Sequence, residues 1–114
     1  MKRHVFGAVL CAAILVPALA CANDFPTSAR VEYVLECMKD HGGKQEYLYK
    51  CSCAVDRMAE KLNYEDFLEA ETALRYQGLG GERGGAFRDP PAVRKMAKGY
   101  QFVRQQANAA CLIK

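Results

Sequence analysis

The most reactive side chains of this 114-residue chain are its six cysteines, two of which form the tight unit Cys51-Ser52-Cys53. Two thiolates so close in sequence can work as a redox pair, attacking disulfides, or as soft ligands for copper(I). The competing reading is structural. Residues two apart on a helix point about 200° away from each other, so the two sulfurs would face opposite sides, meet different partners and share no ion. The cysteine spacing also lacks the paired C-x-x-C units of a zinc ribbon and the C-x-x-C-H of haem attachment. His41 can act as a base or a ligand, but beside Gly42 at the end of a helical pattern it reads as a cap whose charged form suits the helix dipole. No serine, histidine and carboxylate arrangement stands out. The expectation is therefore no catalytic residue, no metal and no cofactor.

A second set of candidates lies between Gly78 and Pro91. This 14-residue stretch holds five of the nine glycines and half of the four prolines, so it is expected to be a long loop. Glu82, Arg83 and Arg88 put charge into it and Phe87 an aromatic ring. A connection this long in a compact domain is usually functional or disordered. Arg83 or Arg88 would recognise a carboxylate or phosphate, and Phe87 would anchor a partner protein. The Gly-x-x-x-x-Gly-Lys-Ser/Thr order of a phosphate loop is missing. The alternative is a solvated linker. Tyr47, Tyr49, Tyr64, Tyr76 and Tyr100 add aromatic surface, read as half-buried packing.

The N-terminus decides how the rest is counted. Lys2, Arg3 and His4 precede an apolar run from Val5 to Leu19, and Ala20-Cys21-Ala22 has the small-x-small form of a cleavage site, which together make a secretory signal peptide. The run is shorter than the roughly 20 residues that span a bilayer. Residues 1–22 are expected to be removed, leaving 23–114 as a single domain. A rival cut before Cys21, at the imperfect lipobox Ala18-Leu19-Ala20-Cys21, would make the protein a lipid-anchored one. Once Lys2 and Arg3 are gone, 14 basic side chains face 13 acids, and the net charge falls from +3 to +1. With both signs interspersed along every helix there is no basic face for nucleic acid. Cys37, Cys51, Cys53 and Cys111 remain, an even set in a chain bound for an oxidising space. A domain of roughly 90 residues buries only a modest core, so two disulfides are an expected supplement.

The elements that must hold these residues are helices. Thr27 or Ser28 can cap a first helix with Val31, Val34, Leu35 and Met38 at helical spacing, stopped by His41-Gly42-Gly43. From about Lys44 a second helix carries Leu48, Cys51, Val55, Met58 and Leu62. Asn63 caps a third, with Phe67, Ala70 and Leu74 inward and Glu65, Asp66 and Glu69 loading its first turns. Asp89 can cap a fourth with Pro90 at its first position, followed by Val93, Met96, Ala97, Tyr100, Val103, Ala107 and Cys111. The fold class is all-α, a small bundle of about four helices stapled by two disulfides, and helices joined by short connections should lie antiparallel. Counting outward from Gly43 favours Cys37 with Cys51 and Cys53 with Cys111. One helical turn of slippage would give Cys37 with Cys53 and Cys51 with Cys111, and both pairings stay open at this level.

The stretch Tyr49-Lys50-Cys51-Ser52-Cys53-Ala54-Val55-Asp56, followed by Tyr64-Glu65-Asp66-Phe67 and the run from Glu69-Ala70-Glu71-Thr72 to Gly81-Glu82-Arg83, resembles a family of small exported four-cysteine proteins. Members of that family are encoded near periplasmic quinoprotein (pyrroloquinoline quinone-dependent) alcohol dehydrogenases and their c-type cytochromes. The resemblance covers most of the mature chain and implies a non-enzymatic periplasmic accessory or binding protein, with a quinoprotein dehydrogenase or c-type cytochrome as partner. It assigns no catalytic residue. Two other functions remain in view: a thiol redox or copper-handling protein using Cys51 and Cys53, and a structural or chaperone-like protein that binds through apolar helix faces. Intact-mass analysis of the exported form should give an N-terminus at Asn23, and a mass that includes an acylated Cys21 would replace the soluble protein with an anchored one.

Overall fold

A computed structural model describes residues 24–78, 80–82, 85 and 90–114. The expected leader, residues 1–22, lies outside them. Among the described residues there is no strand. Four helices, α1 (Thr27–Asp40), α2 (Gln45–Ala59), α3 (Tyr64–Gln77) and α4 (Pro91–Ala110), make an all-α bundle.

The starts of the helices show how local chemistry sets the boundaries. At α3, Asn63 is the cap: its side-chain oxygen accepts from the Asp66 amide at 2.8 Å, and its amide group donates back to the Asp66 carboxylate at 2.8 Å. This reciprocal pair satisfies one free donor of the first turn. A second is satisfied from far away, because the Asp24 carboxylate accepts the Tyr64 amide at 3.0 and 3.1 Å. Its negative charge also sits at the positive end of the helix dipole. The expected caps at α1 and α4 are corrected. Pro26 and Pro90 occupy the cap positions with no side-chain hydrogen bond, Thr27 and Pro91 are the first helical residues, and Asp89 lies outside the described residues. Proline supplies the extended backbone of a cap without competing for an amide that has no partner in any case.

The helix ends are equally explicit. After α1, the Gly43 amide donates to the Met38 carbonyl and the Gly42 amide to the Lys39 carbonyl, with both glycines at positive φ (77° and 69°). This is the Schellman arrangement that the His41-Gly42-Gly43 sequence predicts. The same pattern closes α4 without glycine. Ile113 donates to the Asn108 carbonyl at 2.9 Å while Leu112 stands at φ 59°. A leucine there is strained, and its side chain is 72% exposed, so burial does not repay the conformation.

Helix α2 is the centre of the packing. Cys51, Ala54, Val55 and Met58, at the i, i+3, i+4, i+7 spacing of one helical stripe, are all buried. Extensive helix interfaces join α1 to α2, α2 to α4 and α3 to α4. The first pair is antiparallel, since Arg30 pairs with Asp56 and Cys37 with Cys51. Consecutive α2 and α3 do not form a packed hairpin of the expected kind, because the aromatic residues of α3 turn instead toward Phe25, α1 and α4. The Phe67 ring lies 4.9 Å from Phe25, 6.2 Å from Tyr33 and 5.9 Å from Tyr100.

Two disulfides fix this order. Cys37 joins Cys51 across a Cα separation of 6.0 Å, and Cys53 joins Cys111 across 5.8 Å. Val31 and Leu35, expected in the core, are 50% and 61% exposed. The bridge explains the difference. With Cys37 turned inward, Leu35 lies about 200° and Val31 about 240° away around the helix, while Val34 and Tyr33 lie within about 60° of it. Of the Gly78–Pro91 connection, Glu82 is exposed, and Glu82 and Gly85 have helical backbone where loop was expected; Arg83, Phe87 and Arg88 lie outside the described residues. Replacing both Cys53 and Cys111 by serine should lower the unfolding free energy by about 4 kcal/mol, as chain entropy predicts for a loop of this length. Chemical denaturation of the purified protein measures it.

Candidate functional site

The described candidates from sequence separate in the structure. Cys51 and Cys53 are each consumed in a different bridge, so neither is a thiolate here. Ser52, between them, donates its hydroxyl to the Leu48 carbonyl at 2.6 Å. His41 caps α1 as expected. Its Nδ1 lies 2.7 Å from the Cys37 carbonyl, and because a carbonyl only accepts, the proton is on Nδ1. The ring stacks on Tyr47 at 4.4 Å. Glu82 is exposed in the connection between α3 and α4.

What the fold assembles is a cleft of about 220 Å³ where α1, α3 and α4 converge. Its walls include Tyr33, Glu36 and Asp40 from α1, Glu71 from α3, and Arg104 and Asn108 from α4. The bridged Cys37 and the capping His41 close one end. On α1, Glu36 and Asp40 are four apart, which puts both carboxylates on the same side. Arg104 and Asn108 hold the same relation on α4. The C-terminal cap fixes Asn108 from behind, since its carbonyl accepts from the Ile113 and Cys111 amides.

The electrostatics of the cleft are uneven. Glu36 is met by Arg75 at 3.8 Å in an exposed pair of little energetic weight. Glu71 accepts a hydrogen bond from the hydroxyl of buried Tyr100. The Arg104 guanidinium lies 5.7 Å from the Tyr100 ring centre and forms no ion pair among the described residues. Asp40 likewise has none. Thus one guanidinium and two carboxylates line a single small cleft without closing on one another. Beside them, the Asn108 side-chain oxygen has less than 1 Å² accessible and no hydrogen-bond partner. A buried acceptor left unmade costs about 1–3 kcal/mol.

The two phenols report the same environment. Burial pushes Tyr33 up to about 12 from the ordinary value of 10.0; the Arg104 charge opposes the rise, and Glu71 and Glu36 add to it. Tyr100 is pushed well above the usual tyrosine range by burial first, then by the charge and the hydrogen bond of Glu71. Of the residues that line the cleft, only Cys37, as a bridge cysteine, and His41, as a cap, stand out in the sequence. The available signals were faint: a polar Asn108 one residue beyond Ala107 in an apolar stripe, and acids at i, i+4 on α1.

No protein-family profile, no curated protein and no solved structure matches the chain.

Both phenols are held in their neutral form by the fold, so their contribution to stability is present below about pH 10 and is lost as pH rises. For Tyr33 that loss should run from about pH 10 to about pH 12. Titration by phenolate absorbance should show two of the six tyrosines ionising late, with loss of helical circular dichroism. Tyr33→Phe should remove part of that alkaline transition.

Proposed function

We propose that the protein is a non-catalytic binding module that works in an oxidising compartment outside the cytoplasm, the periplasm of the exporting cell. Its working surface is the cleft between α1, α3 and α4. The observation that carries this reading is the arrangement of Asp40, Glu71 and Arg104 around one cleft. Opposite charges on flexible side chains usually collapse onto each other. Kept apart on three separate helices, they match the inner surface of a site that a polar ligand completes. The pair of structural bridges fits a rigid receptor better than a thiol catalyst, since each sulfur of the Cys51-Ser52-Cys53 unit is engaged.

The setting implied by the resemblance is accessory service to a quinoprotein alcohol dehydrogenase or its c-type cytochrome. A small rigid module beside such a system would bind a ligand and deliver or sense it. The cleft, at about 220 Å³, is smaller than the roughly 300–1,000 Å³ of sites for drug-sized molecules, so the ligand is a small metabolite.

A ligand that binds only the folded state raises the melting temperature by mass action. Fractionated small-molecule extract from the exporting cell should therefore contain a fraction that stabilises the purified protein. The double variant Asp40→Asn/Glu71→Gln should lose that stabilisation. If every fraction leaves the wild-type melting curve unchanged, the cleft is a solvated surface and the binding module has no ligand there.

A further inference from the structure

The outer face of the α1–α2 hairpin carries apolar side chains that nothing covers among the described residues. Val31 and Leu35 of α1 are 50% and 61% exposed, and with Val34, Leu48 and Val55 they line an apolar groove of about 280 Å³ between the two helices. Its two charged lining residues, Arg30 and Asp56, pair with each other at one end. Its hydroxyl is engaged as well, since Ser52 donates to the Leu48 carbonyl at 2.6 Å. Covering the middle of the groove therefore strands no polar group.

The charges beside the groove point to what covers it. Glu32 and Lys39 are exposed on α1 and form no ion pair among the described residues. Around the helix they stand about 60° and about 40° from Leu35, both on the side away from Val31. Along the chain Leu35 lies between them, three residues from one and four from the other. A second α1 running antiparallel across a two-fold axis at Leu35 therefore brings Glu32 of each copy level with Lys39 of the other, to within about 1.5 Å along the helix. The two-fold keeps both residues on the same flank, so both ion pairs form. The stripe is complementary to itself, as an isologous interface requires.

We propose that this face joins two copies of the chain in a two-fold dimer, with antiparallel α1 helices in contact at Leu35 and Glu32–Lys39 pairs along one flank. Arg30–Asp56 and Cys37–Cys51 set α1 against α2 so that Leu35 is level with Ser52. The two Leu35 side chains thus meet beside a small residue, between apolar walls. Helices of 14 and 15 residues lying side by side present a face about 21 Å long and roughly 20 Å wide. A flat footprint of roughly 400 Å² is about half that of a standard interface, the size of a weak, reversible assembly. Glu36 and Asp40 of the cleft lie about 100° and about 140° from Leu35 around α1, so the dimer leaves both clefts open and does not depend on their ligand.

Sedimentation equilibrium of the purified protein with both bridges formed, from about 1 µM to about 300 µM, should show a reversible monomer–dimer equilibrium. Leu35→Glu alters an exposed residue, so at low concentration its melting temperature should stay near that of the wild type. It should weaken association more than about a hundredfold, because each copy would bury a carboxylate at the axis. Glu32→Lys and Lys39→Glu each turn two attractive pairs into repulsive ones, and each should weaken the dimer about tenfold at low salt. Mixed in equal amounts, these two variants should form a heterodimer tighter than either homodimer, since every facing pair is again of opposite sign. Both reversals in one chain should restore association for the same reason. A chain that stays monomeric over the whole range overturns the proposal and leaves the face to a different protein. Dimerisation that Leu35→Glu leaves intact overturns it by placing the contact elsewhere, and dimerisation indifferent to the charge reversals overturns it by excluding the antiparallel α1 pairing.

Discussion

The angle between Cys51 and Cys53 governs this molecule. Two residues apart on α2, the sulfurs leave the helix in nearly opposite directions, one to α1 and one to the end of α4. The helix between them becomes a strut, buried along Cys51, Ala54, Val55 and Met58. A domain this small has little apolar area with which to hold its helices in register. The bridges supply that register: Cys37 turns α1 so that Tyr33 and Val34 go in and Leu35 stays out, and Cys111 fixes where α4 ends.

The cleft is a consequence of that rigidity. Tyr33, Glu71 and Arg104 lie on three separate helices, so the gaps between them are set by helix spacing and not by side-chain preference. The aromatic core, Phe25, Phe67 and Tyr100, fills the end of the bundle where α3 meets α1 and α4. It keeps the Tyr100 hydroxyl at Glu71 and gives the Arg104 guanidinium a ring to rest on. Burial that raises the two phenols also strengthens every charge interaction nearby, since less water screens it. The other surface feature, a shallow apolar groove along Val31, Leu35 and Leu48, has no such polar architecture.

Much of the fold was legible because it is written locally. Asn63 followed by Asp66, the His41-Gly42-Gly43 stop and the α2 stripe each depend on residues a turn apart, and each behaves in the structure as its chemistry dictates. The favoured disulfide pairing followed from helical angle and hairpin length. The misread face of α1 and the unforeseen cap of α3 share an origin in distance along the chain. Val31 and Leu35 fit a helical stripe as well as Ala29, Tyr33 and Val34 do, and only the bridge from α2 chooses between the two faces. Asp24 caps a helix 40 residues away, which no local pattern announces. The cleft was invisible for the same reason. Asp40, Glu71, Arg104 and Asn108 are ordinary surface residue types until three helices bring them around one space.

The order of the cysteines has a consequence for how the molecule is made. Its bridges are nested in neither direction: among the described residues the first cysteine joins the second, and the third joins the fourth. For a chain entering an oxidising compartment N-terminus first, Cys37 and Cys51 arrive together and can be joined by the first oxidase they meet. Cys53 must then wait for Cys111, near the end of the chain. Vectorial oxidation therefore produces the native connectivity in its order of arrival, with no shuffling step. Any premature stop before residue 111 would leave Cys53 as a lone thiol, a mark by which a quality-control protease could recognise an unfinished molecule.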